Sequence, residues 1–269
     1  MVQVSKLRPE EARHFKALFR FYENLAVSSK DVSYYVHPVG IERRRKIISM
    51  LSPSENDTIC DLGCGDGEVS ACVVNKVDKI CGVDISITRV KRARVKGIDA
   101  VCADAASTPF APASFDKTIC SEVIEHAVDP RKIMREIKRI TKSQGSAILT
   151  VPCNEKLAKT LKDVPEKDLA QMSLVEIGQK HNVTCAHLHS FSERTFVELL
   201  KEEGFEIKQI EFTHSYDSRL GRVILPIVFV LMFIKRLGID SWALDNIVSL
   251  LYDKRNDKKN HIIVETESP

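Results

Sequence analysis

The stretch "ICDLGCGDGEVS", residues 59–70, constrains the fold more than any other part of this chain. Glycines stand at every second position, Gly63, Gly65 and Gly67, with an apolar run entering and a polar segment leaving. A strand, close-spaced glycines and a helix in that order bring backbone N–H groups up to a ligand at the edge of a parallel sheet. An ordinary tight turn is the other reading. A dinucleotide turn, G-x-G-x-x-G, needs its third glycine at position 68, where Glu68 stands. The spacing is G-x-G-x-G, preceded by Asp61 at the strand end. An acid there suits a ligand with an ammonium or sulfonium group better than a pyrophosphate.

The surrounding pattern alternates. "TICDLG", "KICGVDIS", "IDAVCADA", "FDKTICSEV" and "GSAILTVP" read as five short strands. Between them lie helical stretches, "EVSACVVNK", "ITRVKRARVKG" and "DPRKIMREIKRIT", the last with Ile133, Ile137 and Ile140 on one face. Further on, "SERTFVELLKEEGF" is a helix from Ser192 to Gly204, and "EIKQIEFTH" and "NHIIVETE" are strands six and seven. Before the first strand, Phe15, Leu18, Phe19 and Tyr22 share a helical face, and a second helix runs from a turn at Pro38–Gly40 to Leu51. Alternation of strand and helix implies parallel pairing through right-handed crossovers. The expected fold is a doubly wound α/β, Rossmann-like sheet of seven strands with the last antiparallel, N-terminal helices, and a helical insertion between strands six and seven. In one domain, 1–269, the parts are a helical cap at 1–45, a core at 46–152, a substrate-side insertion at 153–190 and an apolar helical insertion at 213–257.

A formal charge of +3 from 40 basic and 37 acidic residues is near balance, so composition does not demand nucleic acid. The basic runs "ERRRK" at 42–46 and "DKRNDKKN" at 253–260 read as solvated faces or loops. None of the eight cysteines has C-x-x-C spacing, and no secretory signal is visible at the polar N-terminus, which together imply a reducing, cytoplasmic setting.

Two more acids extend the glycine motif. Asp84 ends strand two, where a carboxylate accepts both ribose hydroxyls, and Asp104 ends strand three, where it can accept an adenine amine. Each alone could be a helix cap; three acids on three successive strand ends are hard to explain that way. With these in place, "CDLGCGDGEVS", "GVDIS", "CADAASTPF", "FDKTICSEVIEHAVDP" and "REIKRITKSQGSAILTVP" resemble, in order, the motifs of class I S-adenosylmethionine-dependent methyltransferases. The resemblance covers about residues 45–155, extends to about 206, and is strongest to the type 11, ubiquinone-biosynthesis O-methyltransferase branch. It implies S-adenosyl-L-methionine as cofactor. Asp61, Gly63 and Gly65 would surround its methionine part, Asp84 would hold the ribose and Ile85 pack on the adenine. Asp104 and the Ala105 N–H would read the adenine edge, and the Cys120 and Ser121 backbone would line the methionine side. "KSQGS" departs from the usual Pro-Gly-Gly turn and implies a looser one.

"SEVIEH" carries the acceptor side. On a helical turn Glu122 lies i, i+3 from Glu125 and i, i+4 from His126, so the three would face one way. With His189, or His187, from "AHLHSF" they make a candidate divalent metal site, Mg or Zn, of the kind the small-RNA 2′-O-methyltransferases use. Without metal, Glu122 would be a cap and His126 or His189 the general base. In "SYYVHP", Tyr34, Tyr35 and His37 would form a lid or a surface turn. Val223–Ile234 is apolar throughout, too short to span a bilayer, and "DSWALDNIVSLLYDK" reads as amphipathic. This makes 223–252 either a buried cover or a peripheral membrane contact and a wall for a lipid acceptor. The expected activity is O-methylation of a small, lipidic or quinone-like acceptor. Its rivals are methylation of an RNA 3′ end, and a cofactor-binding module without catalysis.

Overall fold

The computed structural model describes residues 38–153, 187–216 and 255–267, with positions 16, 19, 20, 22–24, 26, 27, 160, 163–165 and 180 besides. The elements are α1 (Pro38–Leu51), β1 (Thr58–Leu62), β2 (Lys79–Asp84), α2 (Ile87–Val95), β3 (Asp99–Cys102), β4 (Phe115–Ser121), α3 (Pro130–Ile140), β5 (Thr141–Pro152), α4 (Glu193–Glu202), β6 (Glu206–Tyr216) and β7 (Arg255–Glu267). Short 3₁₀ turns lie at Ser70–Cys72 and Ile124–His126. The strands form one sheet in the order β3-β2-β1-β4-β5-β7-β6. β1 to β5 pair in parallel, and β7 runs antiparallel to both β5 and β6. This is the doubly wound seven-stranded sheet expected from the sequence.

Strand residues alternate between two buried faces, as a pleated sheet covered on both sides requires. Ile59, Ile80, Ile119, Ile148 and Ile263 pack with Ile47 and Leu51 of α1 and Val90 and Ala93 of α2. Their neighbours Cys60, Cys81, Cys120, Leu149 and Val264 pack with Ile133, Met134 and Ile137 of α3 and Phe196 and Leu200 of α4. The cysteines in this layer act as small apolar side chains. α3 starts on Asp129, whose side chain accepts from Arg131 N, with Pro130 in its first turn. α4 starts on a reciprocal Ser192–Thr195 capping box.

Several sequence expectations are corrected here. Pro38 and Gly40 lie inside α1 rather than in a turn before it, as proline tolerates a helix's first turn. "EVSACVVNK" forms turns and one 3₁₀ turn instead of a helix: its valines, Ser70 and Asn75 are weak helix formers, and the Ser70 hydroxyl donates to Asp61. "ERRRK" is not a solvated face, because Glu42, Arg43 and Arg44 are buried. The second basic run enters β7 at Arg255. At "KSQGS" the β4–β5 register shifts between Phe115/Thr141 and Lys117/Ser146, so β5 bulges. Gln144 has φ 64° there, and a Cβ on Gly145 would fall 2.7 Å from the Asp116 carbonyl. Most of 1–45 and 153–190, Tyr34, Tyr35, His37 and the apolar stretch 223–252 lie outside the described residues. Among the described residues, no helix is long and apolar enough to cross a membrane.

Candidate functional site

At the carboxyl edge of β1, the chain turns through Gly63, Gly65 and Gly67, all at positive φ (75°, 55° and 78°), a conformation that a Cβ disfavours. A Cβ on Gly63 would also lie 2.1 Å from Val123 Cγ2. The N–H groups of Cys64 and the three glycines are already used within the protein: Gly63 N and Cys64 N donate to the Val83 carbonyl, Gly67 N donates to the Cys64 carbonyl, and Gly65 N donates to Asp84 Oδ2 at 2.9 Å. The turn therefore serves by shape. It clears space in front of β1 and β2 and leaves the acids to make the polar contacts.

A cavity of about 330 Å³ opens there, lined by Asp61, Gly63, Gly65, Asp84, Ile85, Asp104, Ala105 and Ser121 among others. Asp61 is 2% exposed and accepts from Ser70 Oγ at 2.5 Å. Burial pushes its carboxyl up to about 6, against the pull of Ser70. Asp84 accepts from Gly65 N and from Ser86 N (2.8 Å), and burial pushes it up to about 6 as well. Asp104 is raised by burial, partly offset by the Ala106 N–H. A carboxylate has about four acceptor positions, so Asp84 keeps two for a ligand and Asp61 three. Buried acceptors short of donors call for a ligand rich in donors. The hydroxyls, exocyclic amine and α-ammonium of S-adenosylmethionine are such donors, so the site's chemistry fits this cofactor. Of the cofactor positions read from the sequence, Cys120 alone is absent from the cavity lining; it is fully buried at the end of β4.

The same cavity continues to Tyr22, Arg43, Glu122 and His126. Glu122 does not share a helical turn with Glu125 and His126. It has φ 59°, and the 3₁₀ turn begins two residues later. The left-handed residue swings its side chain away: Glu122 Oε2 meets Arg43 Nη1 and His261 Nε2, both at 3.2 Å, and Oε1 accepts from Thr150 Oγ1 at 2.8 Å. Burial alone would raise Glu122, but the facing His261 and Arg43 hold it well below the usual carboxylate range. Glu125 is 1% exposed, and neither of its carboxylate oxygens has a hydrogen-bond partner. Burial, and then the charge of Glu122, push it far above the usual range.

Glu125, His126 and His187 form a group whose ligand atoms all lie within 4.8 Å. His126 Nε2 is 3.5 Å from Glu125 Oε1, and the His126 and His187 rings meet edge-on at 4.7 Å. The structure thus brings His187, rather than His189, to Glu125 and His126. Leu188 N and His189 N both donate to the Glu125 carbonyl, which turns the His189 ring toward the Ala127 carbonyl (3.0 Å) and Phe191. Neither Glu122 nor His189 belongs to the close group. Sequence reasoning missed Arg43, Arg89, Lys132 and His261, and gave Tyr22 only a packing role. Tyr22 meets His126 edge-on at 5.5 Å and lies under the Arg89 guanidinium. Glu23 beside it pins this segment to α2 through Ser86 Oγ and Thr88 Oγ1. Tyr22 stands on the helical face read from the sequence, and that face was its only signal.

Residues 60–149 match the family model described as a methyltransferase domain. The chain is 30% identical to the O-methyltransferase cnsE of Penicillium expansum over 225 residues, 74% of this chain and 76% of that protein. It is 28% identical over 106 residues to the ubiquinone biosynthesis O-methyltransferase of Paracidovorax citrulli. That match takes in 36% of this chain and 44% of the relative's length. The crystal structure of a SAM-dependent methyltransferase from Thermotoga maritima shares the fold at a TM-score of 0.60 and 17% identity, over 95% of this chain and 100% of that one. A donor-hungry cavity on the switch edge of this sheet and a relative aligned over most of both chains agree: the chain belongs to the class I S-adenosylmethionine-dependent methyltransferases.

Proposed function

We propose that the protein methylates a hydroxyl oxygen of a small acceptor, with His126 as the general base. One observation carries the reading: His126 lines the same cavity as Asp61, Asp84 and Asp104, so base and cofactor acids face one space. When bound, S-adenosylmethionine supplies an electrophilic methyl on sulfur. The chain's part is to align an oxygen in line with it and to take the hydroxyl proton. His126 can accept that proton at a ring nitrogen, and Glu125 Oε1 lies 3.5 Å from its Nε2. The Tyr22 and His187 rings, edge-on to His126, hold it in orientation and keep water off it. The relatives in Penicillium expansum and Paracidovorax citrulli are O-methyltransferases by name, which supports oxygen as the acceptor atom. The apolar run at 223–234 supports a lipidic acceptor and peripheral membrane contact.

A second reading has a specific observation behind it. The two orphaned oxygens of buried Glu125, beside His126 and His187, fit a divalent ion such as Zn or Mg. Those three residues would hold it, and it would supply Lewis acidity toward the acceptor oxygen. Elemental analysis of the purified protein decides between the readings, together with activity in chelator: full activity without metal leaves His126 as base.

The function is tested by transfer of labelled methyl from S-adenosylmethionine into cell extract divided into lipid, small-molecule, RNA and protein fractions. Label is expected in the lipid or small-molecule fraction and absent with Asp84→Ala, which also weakens S-adenosylhomocysteine binding in calorimetry. Label confined to RNA or protein refutes the acceptor class, and normal binding by the variant refutes the cofactor assignment. Co-flotation with liposomes is the matching check on membrane contact; failure to co-float refutes it.

A further inference from the structure

Glu122 departs from the role its motif suggests. It stands on a left-handed residue and is held by groups from three elements: Arg43 of α1, Thr150 of β5 and His261 of β7. Arg43 and His261 lie 218 residues apart in the chain, and Arg43 Nη1 approaches His261 Nε2 at 3.3 Å. His261 is itself fixed, with Nδ1 2.7 Å from Thr213 Oγ1 on β6. The Glu122 N–H donates to the Thr150 carbonyl, so backbone and side chain are both tied to β5. These contacts leave the side chain 15% exposed, on the cavity wall beside His126. Three partners occupy three of a carboxylate's roughly four acceptor positions. One position is left, and Glu122 lines the cavity.

We propose that Glu122 is the acceptor-recognition residue. Its remaining lone pair takes a hydrogen bond from a hydroxyl or amine of the methyl acceptor other than the oxygen that is methylated. Arg43, His261 and Thr150 are the positioning residues that hold it there. The proposal rests on the methyl-transfer reading above and narrows it to acceptors that carry a second hydrogen-bond donor. Because Arg43 and His261 keep Glu122 ionised, it competes with His126 neither for the acceptor's proton nor for the role of base. The network also explains why α1 buries Glu42 and Arg43. The helix carries a cation to the site, and Glu42 takes the His214 N–H of β6 at 3.2 Å next to it.

The test uses the full chain, labelled S-adenosylmethionine and the small-molecule and lipid fractions of cell extract. The labelled product is purified, acetylated exhaustively and weighed by mass spectrometry. At least one acetyl group per product is expected. With the purified acceptor, Glu122→Gln raises KM about tenfold or more and leaves kcat within about threefold, the loss expected of one charge-assisted hydrogen bond. S-adenosylhomocysteine binding stays within about twofold in the same calorimetric assay. His261→Phe raises KM in the same direction, and His261→Gln, whose amide still donates to the carboxylate, recovers most of it. A product that takes no acetyl group overturns the proposal. So does an unchanged KM in Glu122→Gln, a fall in kcat alone, or loss of S-adenosylhomocysteine binding in both glutamine variants. A wild-type protein that binds S-adenosylhomocysteine and methylates no fraction refutes the methyl-transfer reading and this proposal with it. An active wild type with an indistinguishable Glu122→Gln refutes this proposal alone.

Discussion

Cofactor binding should be linked to protons through Asp61 and Asp84, and the linkage can be worked out. Burial holds both carboxyls at about 6 in the ligand-free protein, whereas free aspartate titrates near 3.9, about two units lower. Between about pH 4 and pH 6 the folded protein therefore keeps protons that the unfolded chain has lost, and these two groups make folded stability fall as pH rises through that window. Ligand hydroxyls and an ammonium favour the ionised forms, so binding must expel whatever protons remain. Each group divides the affinity by 1 + 10^(6 − pH), about 11 at pH 5 and about 1.1 at pH 7. For two groups the S-adenosylhomocysteine Kd rises about a hundredfold from pH 7 to pH 5, or about 2.7 kcal/mol. Calorimetry in buffers of different ionisation enthalpy should show close to two protons released per ligand at pH 5 and almost none at pH 7. Asp84→Asn removes one group, so the pH effect should shrink to about tenfold on a weaker baseline. A wild-type affinity that changes less than about threefold between these pH values refutes the argument, as does an Asp84→Asn variant that keeps the full hundredfold change.

Other perturbations follow from single contacts. Gly63→Ala combines a left-handed φ of 75° with a Cβ 2.1 Å from Val123 Cγ2, and should cost about 2–5 kcal/mol in urea unfolding. Adding Val123→Ala should recover the packing part only, and full recovery would show that the backbone cost is absent. Ser70→Ala removes the hydroxyl that donates to Asp61; the pH at which S-adenosylhomocysteine binding weakens should then move upward, and an unchanged midpoint would show Ser70 has no hold on that acid. Glu125→Gln neutralises a carboxyl that burial raises far above its usual range. The desolvation penalty of such a raised acid is present at high pH and relieved at low pH, so the metal-free variant should melt no lower than wild type at pH 8. Any rise in melting temperature that added zinc gives the wild type should vanish in the variant.

Strands and cofactor acids were legible because local signals state them. Ile59 and Cys60, Ile119 and Cys120, and Ile148 and Leu149 alternate between two buried faces, and continuous apolar runs between turns are what a doubly covered sheet requires. Asp61, Asp84 and Asp104 come at the ends of such runs, so their shared edge could be read in one dimension. The acceptor side was less legible, for a physical reason. "SEVIEH" has the spacing of a helical turn, but Glu122 takes a left-handed φ because its best partners, Arg43 and His261, lie on α1 and β7. Tertiary charge pairing overrides local periodicity there, and nothing within six residues announces it. The burial of Glu42 and Arg43 within "ERRRK" has the same origin. The exchange of His189 for His187 turns on two backbone hydrogen bonds to the Glu125 carbonyl, and side-chain spacing does not encode them.

The layer of buried thiols gives the molecule a built-in clock for its own opening. Cys60 and Cys81 lie side by side on β1 and β2, Cys120 lies on the neighbouring β4 opposite Leu62, Cys64 sits within the glycine turn, and Cys153 follows the end of β5. Burial raises the thiols of Cys60, Cys64, Cys81 and Cys120, and a protonated, enclosed sulfur does not react. Among the described cysteines, a soluble alkylating reagent should therefore reach the half-buried Cys72 and Cys102 first, and the inner thiols only when the sheet parts. The rate at which mass spectrometry finds those inner sulfurs tagged measures how often the central strands come apart. A bound cofactor should slow that rate in proportion to its hold on the folded state.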